Sequence, residues 1–255
     1  FMAILRELKS KWFLNKKRTV LICIALLFTF YIAGAVIMGI FHSRFINLEP
    51  TLLLVDRHYQ FVAELEKAGS EFGYWPLPDT IPHLVKILTI SAEDRRFYSH
   101  MGIDFVGIVR ALWSNYITRK NYSGASTIAM QCARLQNPGN RTWHKKISES
   151  VSALLFTLFY GREKVLRQYL TIAPYGNRIC GVNYAARRYF QKPVQDLSCA
   201  EMALLAAIPR APGRFNIFTE RGFNKAKNRA GLIPDRTIEY KWIDSVTYEN
   251  ARHEL

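Results

Sequence analysis

The sequence predicts a mainly helical domain, opened by a small β-hairpin and preceded by one transmembrane helix. Three observations carry that prediction. An apolar run from Thr19 to Phe41 has the length of a bilayer-spanning helix. From Thr80 onward the apolar residues recur mostly at helical spacing, most plainly as the stripe Trp143, Ile147, Val151, Leu154 and Leu158. Thr51 to Leu65 reads instead as two short strands, Leu52 to Val55 and Gln60 to Ala63, about a turn at Asp56 to Tyr59.

The flanks of the apolar run set its direction. Lys9, Lys11, Lys16, Lys17 and Arg18 precede it, and the weaker pair His42 and Arg44 follows. The positive-inside rule puts residues 1–18 in the cytoplasm and everything after about residue 42 outside. The run is too long for the apolar part of a signal peptide, and the cleavage-like Ala33-Gly34-Ala35 lies inside it, so it reads as an anchor. Phe1 before Met2 suggests a chain cut from, or fused into, something larger.

Across 255 residues the formal net charge is +15 and the pI about 9.8, which calls for an anionic partner. Outside the cytoplasm that partner is not nucleic acid. It is an anionic lipid headgroup or a lipid-linked phosphate. Cys23, Cys132, Cys180 and Cys199 have no metal-binding spacing and make no dense disulfide framework, so they read as small core residues.

Within the helical part, Thr80 and Pro82 open a helix that ends on the carboxylate pair Glu93 and Asp94. Arg95, Arg96, Phe97, His100 and Gly102 follow, and Gly102 tolerates the left-handed conformation that a chain reversal needs. A carboxylate on such a shelf can serve as a general base if burial and neighbours adjust its pKa. The same residues also fit a helix-end salt-bridge cluster. Asp104 can cap the next helix, through about Tyr116. The polar run Arg119 to Gly124 has no periodicity and is expected to be mobile. Ser126 and Thr127 then cap a short helix whose first N–H groups attract anions.

After the turn Asn137 to Asn140 comes the most informative helix. Opposite its apolar stripe lie Arg141, Thr142, Lys145, Lys146 and Glu149. Past Glu149 that face becomes Ser152, Ala153 and Phe156, so it is covered from there on. A cation patch ending at one carboxylate beside buried surface suits pyrophosphate; pairing of the lysines with Glu149 at i+3 and i+4 is the plainer reading. Gly161 stops this helix, and Ser198-Cys199-Ala200-Glu201 is a capping box for another. Phe223 to Leu255 is charged and weakly apolar, with a break at Pro234, and reads as a linker or the start of a following domain.

With these pieces in order, the chain resembles the membrane-anchored peptidoglycan glycosyltransferases, the transglycosylase module of class A penicillin-binding proteins and their monofunctional relatives. Glu93-Asp94-x-x-Phe97-x-x-His100-x-Gly102-x-Asp104 matches the family's first motif in full. Gly124-Ala125-Ser126-Thr127-Ile128-x-x-Gln131 resembles the second, and Lys145-Lys146-x-x-Glu149 the third. Tyr169-Leu170 with Gly176, then Gly181-Val182 through Tyr189-Phe190 and Lys192, resemble the fourth and fifth. Trp75-Pro76-Leu77-Pro78 and Met130-Gln131-x-Ala133-Arg134-Leu135 look most like the subgroup called penicillin-binding protein 1C, whose members continue into a transpeptidase domain. The departures are Lys145 for Arg, Ala125 for Gly, Ala129 for Thr, Met130 for Gln, Thr157 for Glu and Thr171 for Asn.

The resemblance implies a lysozyme-like helical glycosyltransferase domain at residues 42–222, after a tail at 1–18 and a span at 19–41, with 223–255 following. It implies polymerisation of lipid II into β-1,4-linked glycan at the outer face of a bacterial inner membrane. The donor is a glycan linked to undecaprenyl pyrophosphate, and transfer inverts its anomeric carbon. Glu93 and Glu149 are the implied catalytic residues. Ser126, Thr127, Gln131, Arg134, Arg141, Lys145 and Lys146 are the implied substrate-binding residues. No metal site is expected from the protein alone and no cofactor is required, although Mg²⁺ or another divalent cation at the pyrophosphate fits the chemistry. Expected partners are the two lipid substrates, the membrane and cell-wall synthesis proteins. Two other classes use the same features: a lytic, lysozyme-like glycosidase built on one Glu, and a non-catalytic membrane scaffold for wall synthesis.

Overall fold

The computed structural model describes residues 2–46, 51–58, 61–65, 76–118 and 126–255. Trp75 of the Trp75-Pro76-Leu77-Pro78 run, the polar run 119–124 and Ala125 of the second motif lie outside the described residues. The chain is mainly helical, with one small hairpin at its start and one long apolar helix before it, as the sequence predicts.

Helix α1 (Met2–Phe41) contains that apolar run. Among the described residues it supplies the one helix long and apolar enough to cross a membrane, over Lys16–Phe41. Leu21, Leu27, Phe28 and Phe30 on it are exposed, as a lipid-facing helix requires. Strands β1 (Leu52–Val55) and β2 (Phe61–Leu65) pair antiparallel, with an irregularity between Leu54 and Val55.

The remaining helices surround one core. They are α2 (His83–Glu93), α3 (Phe105–Thr118), α4 (Ile128–Gln136), α5 (Trp143–Tyr160) and α6 (Arg162–Ile172). A two-stranded turn, β3 (Pro174–Gly176) with β4 (Ile179–Cys180), leads to α7 (Val182–Phe190) and α8 (Cys199–Ala207). Their starts and stops follow local chemistry. Thr127 caps α4, accepting from Met130 N at 3.1 Å, and Thr142 caps α5, accepting from Lys145 N at 3.1 Å. Gly161 ends α5 with φ 78°, and Ser198 with Glu201 forms the expected capping box at α8. The core is made of the inward faces of α2, α4, α6 and α8, including Leu88, Ile128, Leu166, Leu170, Met202 and Leu205. Cys132 and Cys199 are buried free thiols.

The stretch after Phe223 differs from the linker reading. It forms α9 (Glu220–Ala230), α10 (Leu232–Glu239) and α11 (Ser245–Glu254), which pack on α2 and α8. Its buried residues include Ala226, Ala230, Ile233 and Ala251. Three of these four are alanines, so the face buries well while scoring as only weakly apolar in the sequence. Alanine lets the helix axes approach closely and still removes apolar surface from water.

Gly102 is required twice over. Its φ is 91°, and a methyl group there would lie 2.3 Å from Ala153 O, inside the backbone of α5. That close approach brings the turn after Glu93 against the helix that carries the cations.

Candidate active site

Glu93 is the last residue of α2, and its side chain is 8% exposed. Gln131 on α4 donates from Nε2 to Glu93 Oε2 at 2.9 Å. Arg229 on α9 places Nη2 3.5 Å from Glu93 Oε1. The guanidinium is itself held, donating from Nε to Ala207 O at 3.2 Å and from Nη2 to Ala92 O at 3.4 Å. Burial raises the Glu93 pKa above the ordinary carboxylate range, opposed by the Gln131 hydrogen bond and the charges of Arg229, Arg210 and Arg134. Buried Tyr169 and Tyr175 feel the charge of Glu93, which adds to burial in holding both hydroxyls protonated.

Asp94 has the structural task. Both its oxygens face His100 Nε2, at 3.0 and 3.1 Å, and Oδ2 also accepts from Ile128 N at 3.0 Å. His100 Nδ1 accepts from Gly102 N at 3.1 Å, which leaves the ring proton on Nε2, toward Asp94. One buried carboxylate thus ties the turn after α2 to the first N–H of α4. Asp94→Ala is expected to cost roughly 3 kcal/mol or more, because two buried donors lose their acceptor. Urea unfolding in detergent measures it, and a loss below about 1 kcal/mol contradicts the assignment. Asp104 caps α3, accepting from Gly107 N at 2.8 Å, and pairs with Arg96 at 3.5 Å.

Glu93 opens onto a cavity of about 260 Å³ whose lining includes Arg95, Arg110, Ser126, Arg210 and Arg236. A second cavity, of about 320 Å³, is lined by Ser126, Arg134, Arg141, Thr142, Trp143, Lys145, Lys146 and Glu149. The two share Ser126. Arg134 lines the second cavity, and its charge acts on both Glu93 and Glu149. Burial raises the Glu149 pKa, and Arg134, Lys145, Arg141 and Lys146 oppose the rise. Among the described residues no ion pair joins Glu149 to either lysine, so the plainer i+3 and i+4 pairing is not what the lysines do here. Among the same residues no cluster of three or more His, Cys, Asp or Glu could hold a metal ion.

All nine expected site residues therefore fall in or beside these adjoining cavities, with different duties for two of them. Thr127 is buried; its hydroxyl donates to Gly102 O at 2.6 Å and accepts from Met130 N. Its proton is committed to the fold rather than to a substrate. Gln131 spends one amide donor on Glu93. Four of the six substituted positions are structural: Ala129 and Met130 are core, and the hydroxyls of Thr157 and Thr171 turn back to Ala153 O and Arg167 O.

Arg229, Arg210 and Arg236 escaped the sequence reading. Arg229 and Arg236 lie in the stretch that reads as a linker, and Arg210 lies outside the motifs quoted from the sequence. The available signal was the spacing of Gly222, Ala226 and Ala230, one helical face of small residues.

A family model described as Transglycosylase matches residues 60–237. Penicillin-binding protein 1A of Aquifex aeolicus (strain VF5) is 38% identical over 184 residues, 72% of this chain and 25% of that protein. Penicillin-binding protein 4 of Bacillus subtilis (strain 168) is 32% identical over 203 residues, 76% of this chain and 32% of that protein. The crystal structure of penicillin-binding protein 1A from Haemophilus influenzae covers 82% of this chain and 21% of its own, with TM-score 0.44 and 17% identity. The chain thus spans about a quarter to a third of the length of these curated relatives. Since the matched residues 60–237 are well over half of the 255, the chain belongs to the transglycosylase family.

Proposed function

We propose that this catalytic module polymerises lipid II, joining the acceptor 4-hydroxyl to C1 of a glycan held on undecaprenyl pyrophosphate. One observation carries the reading: a buried carboxylate and a cation-lined cavity adjoin through Ser126, and Arg134 of that cavity acts on the carboxylate. Inverting transfer needs a base on one side of C1 and charge neutralisation on the other. Glu93 takes the proton of the acceptor hydroxyl as its oxygen bonds to C1. The C1–oxygen bond to pyrophosphate breaks as that bond forms, and the leaving group keeps the electron pair. Lys145, Lys146, Arg141 and Arg134 neutralise the growing charge on the leaving group. Glu149 orients these cations, and where a divalent ion is present its carboxylate would help hold it and the ion would add neutralising charge for the leaving group. Ser126 is placed to hydrogen-bond the donor where the cavities meet.

Glu93 is active when ionised, so its raised pKa sets the acid limb of the rate profile. Arg229 pulls that pKa down. Arg229→Met is therefore expected to move the acid limb to higher pH, measured as polymerisation rate against pH. An unmoved limb would separate Arg229 from the base.

The membrane supports the same reading, since both substrates are lipid-anchored. Residues 1–18 are placed in the cytoplasm and the catalytic module, in an inner membrane, on the outer side. Phe105, Val109, Trp113, Tyr116 and Ile117 form an exposed apolar strip on α3 that suits the bilayer interface. The module extends past residue 222, because Arg229 belongs to the site. The subgroup assignment to penicillin-binding protein 1C rests on the second-motif and Trp75-Pro76 residues alone.

Incubating the purified chain with lipid II in vesicles, and separating the products on a gel, tests the function. Long glycan strands are expected. Shortening of purified sacculi would point to a lytic glycosidase, and no product at any lipid II concentration, with wall-synthesis proteins still captured, to a scaffold.

A further inference from the structure

We infer that the outer third of the membrane helix is a structural part of the cation pocket. Its seam with α5, built on Gly39, Ser152 and His144, fixes the depth and rotation at which Lys145 and Lys146 meet a lipid-linked pyrophosphate. This rests on the pyrophosphate reading of that pocket.

The two helices run the same way, touching at successive heights. His144 packs edge-on against Tyr31, ring centres 5.1 Å apart, with its Nε2 3.5 Å from where a methyl on Gly34 would sit. Higher up, a methyl on Gly39 would lie 2.6 Å from Val151 Cβ and 2.8 Å from Ser148 O. Buried Ser152 donates from Oγ to Gly39 O at 2.9 Å. Above the span, Phe45 stacks on Tyr160 at 4.1 Å. A glycine that lets backbones approach, with a hydroxyl crossing to the partner's carbonyl, is how helices lock in a membrane. The outward residues Phe30, Ile37, Ile40 and Phe41 stay exposed.

At 3.6 residues per turn, His144, Ser148 and Val151 face α1, Ser152 borders both that face and the polar one, and Lys145 and Glu149 lie about a quarter of a turn round from the middle of the seam. Sliding or rotating α5 along α1 therefore moves the cations. Gly34 lies about 10 Å along the axis before Phe41, so α5 begins beside the outer part of the span rather than beyond it. Trp143, the first residue of α5, is 75% exposed, and Lys146 Nζ sits 5.4 Å from its ring. Tryptophan beside a cation belongs at the headgroup boundary. The pocket opens at the depth where a membrane-held pyrophosphate rests.

The test uses the full chain in phospholipid nanodiscs. It reads binding of undecaprenyl pyrophosphate, binding of inorganic pyrophosphate, and the quenching by shallowly brominated lipids that Trp143→Phe removes. Gly39→Leu is expected to weaken the lipid-linked probe about ten- to a hundredfold and to abolish that quenching, with inorganic pyrophosphate within about twofold. Ser152→Ala should weaken the lipid-linked probe less, in the same direction, and the lipid-facing Phe30→Leu should change nothing. Unchanged lipid-probe binding and quenching in Gly39→Leu would overturn the inference. So would equal weakening of both probes at unchanged Trp143 depth, which would make the seam a folding element only. A wild-type chain that binds undecaprenyl pyrophosphate but makes no polymer sinks the polymerase reading alone, and Gly39→Leu still decides the seam.

Discussion

Glu93→Gln is expected to slow lipid II polymerisation by about 10²–10⁴-fold, while the phosphoglycolipid inhibitor moenomycin still binds. The change keeps volume and shape. The new amide oxygen can still accept from Gln131, and Arg229 keeps its bonds to Ala207 O and Ala92 O. What disappears is the capacity to take a proton. The cation pocket on α5 is untouched, so an inhibitor recognised through its phosphate keeps its site. Turnover at the wild-type level in this variant would remove Glu93 from the role of base. A fall in rate together with loss of inhibitor binding would instead mean that the cleft itself had collapsed.

Lys145→Ala with Lys146→Ala is the second large effect. Each charge-assisted contact to a phosphate oxygen contributes about 1.5–3 kcal/mol, so the pair is expected to weaken donor binding by at least about a hundredfold. Ile147→Val, between Lys146 and Ser148, should stay within about twofold, because it removes one methyl from a half-buried position. Lys146 also lies over the Trp143 ring, a contact worth roughly 0.5–1 kcal/mol at an exposed site. Lys146→Arg keeps both the charge and the ring contact, and should recover most of the binding. Equal losses from Lys146→Ala and Ile147→Val would leave α5 with a structural role only.

Much of this arrangement was legible in the sequence, because its signals are local. Glu93 could be read at a helix end, since the apolar positions before it and Gly102 after it bound the element. The α5 cations could be read as one face, since helical spacing alone groups them and the cover after Glu149 is written in Ser152, Ala153 and Phe156. Other features depend on what lies across a gap. Thr127 looks like a substrate ligand until Gly102 O is seen to accept its hydrogen bond. Arg229 looks like a linker charge until Ala226 and Ala230 are seen to bury against the core. Gly39 looks like any small residue of a membrane span until Val151 is found where its side chain would be. In each case the partner is distant in sequence; periodicity can mark a buried face but not what that face meets.

The most direct test of the central arrangement is a structure of the full chain bound to an undecaprenyl-pyrophosphate-linked glycan in a lipid bilayer. The pyrophosphate should lie within hydrogen-bond reach of Lys145 and Lys146, with the sugar passing Ser126 and presenting C1 toward Glu93. A pyrophosphate held away from α5, or a sugar whose reacting carbon turns away from Glu93, would contradict it.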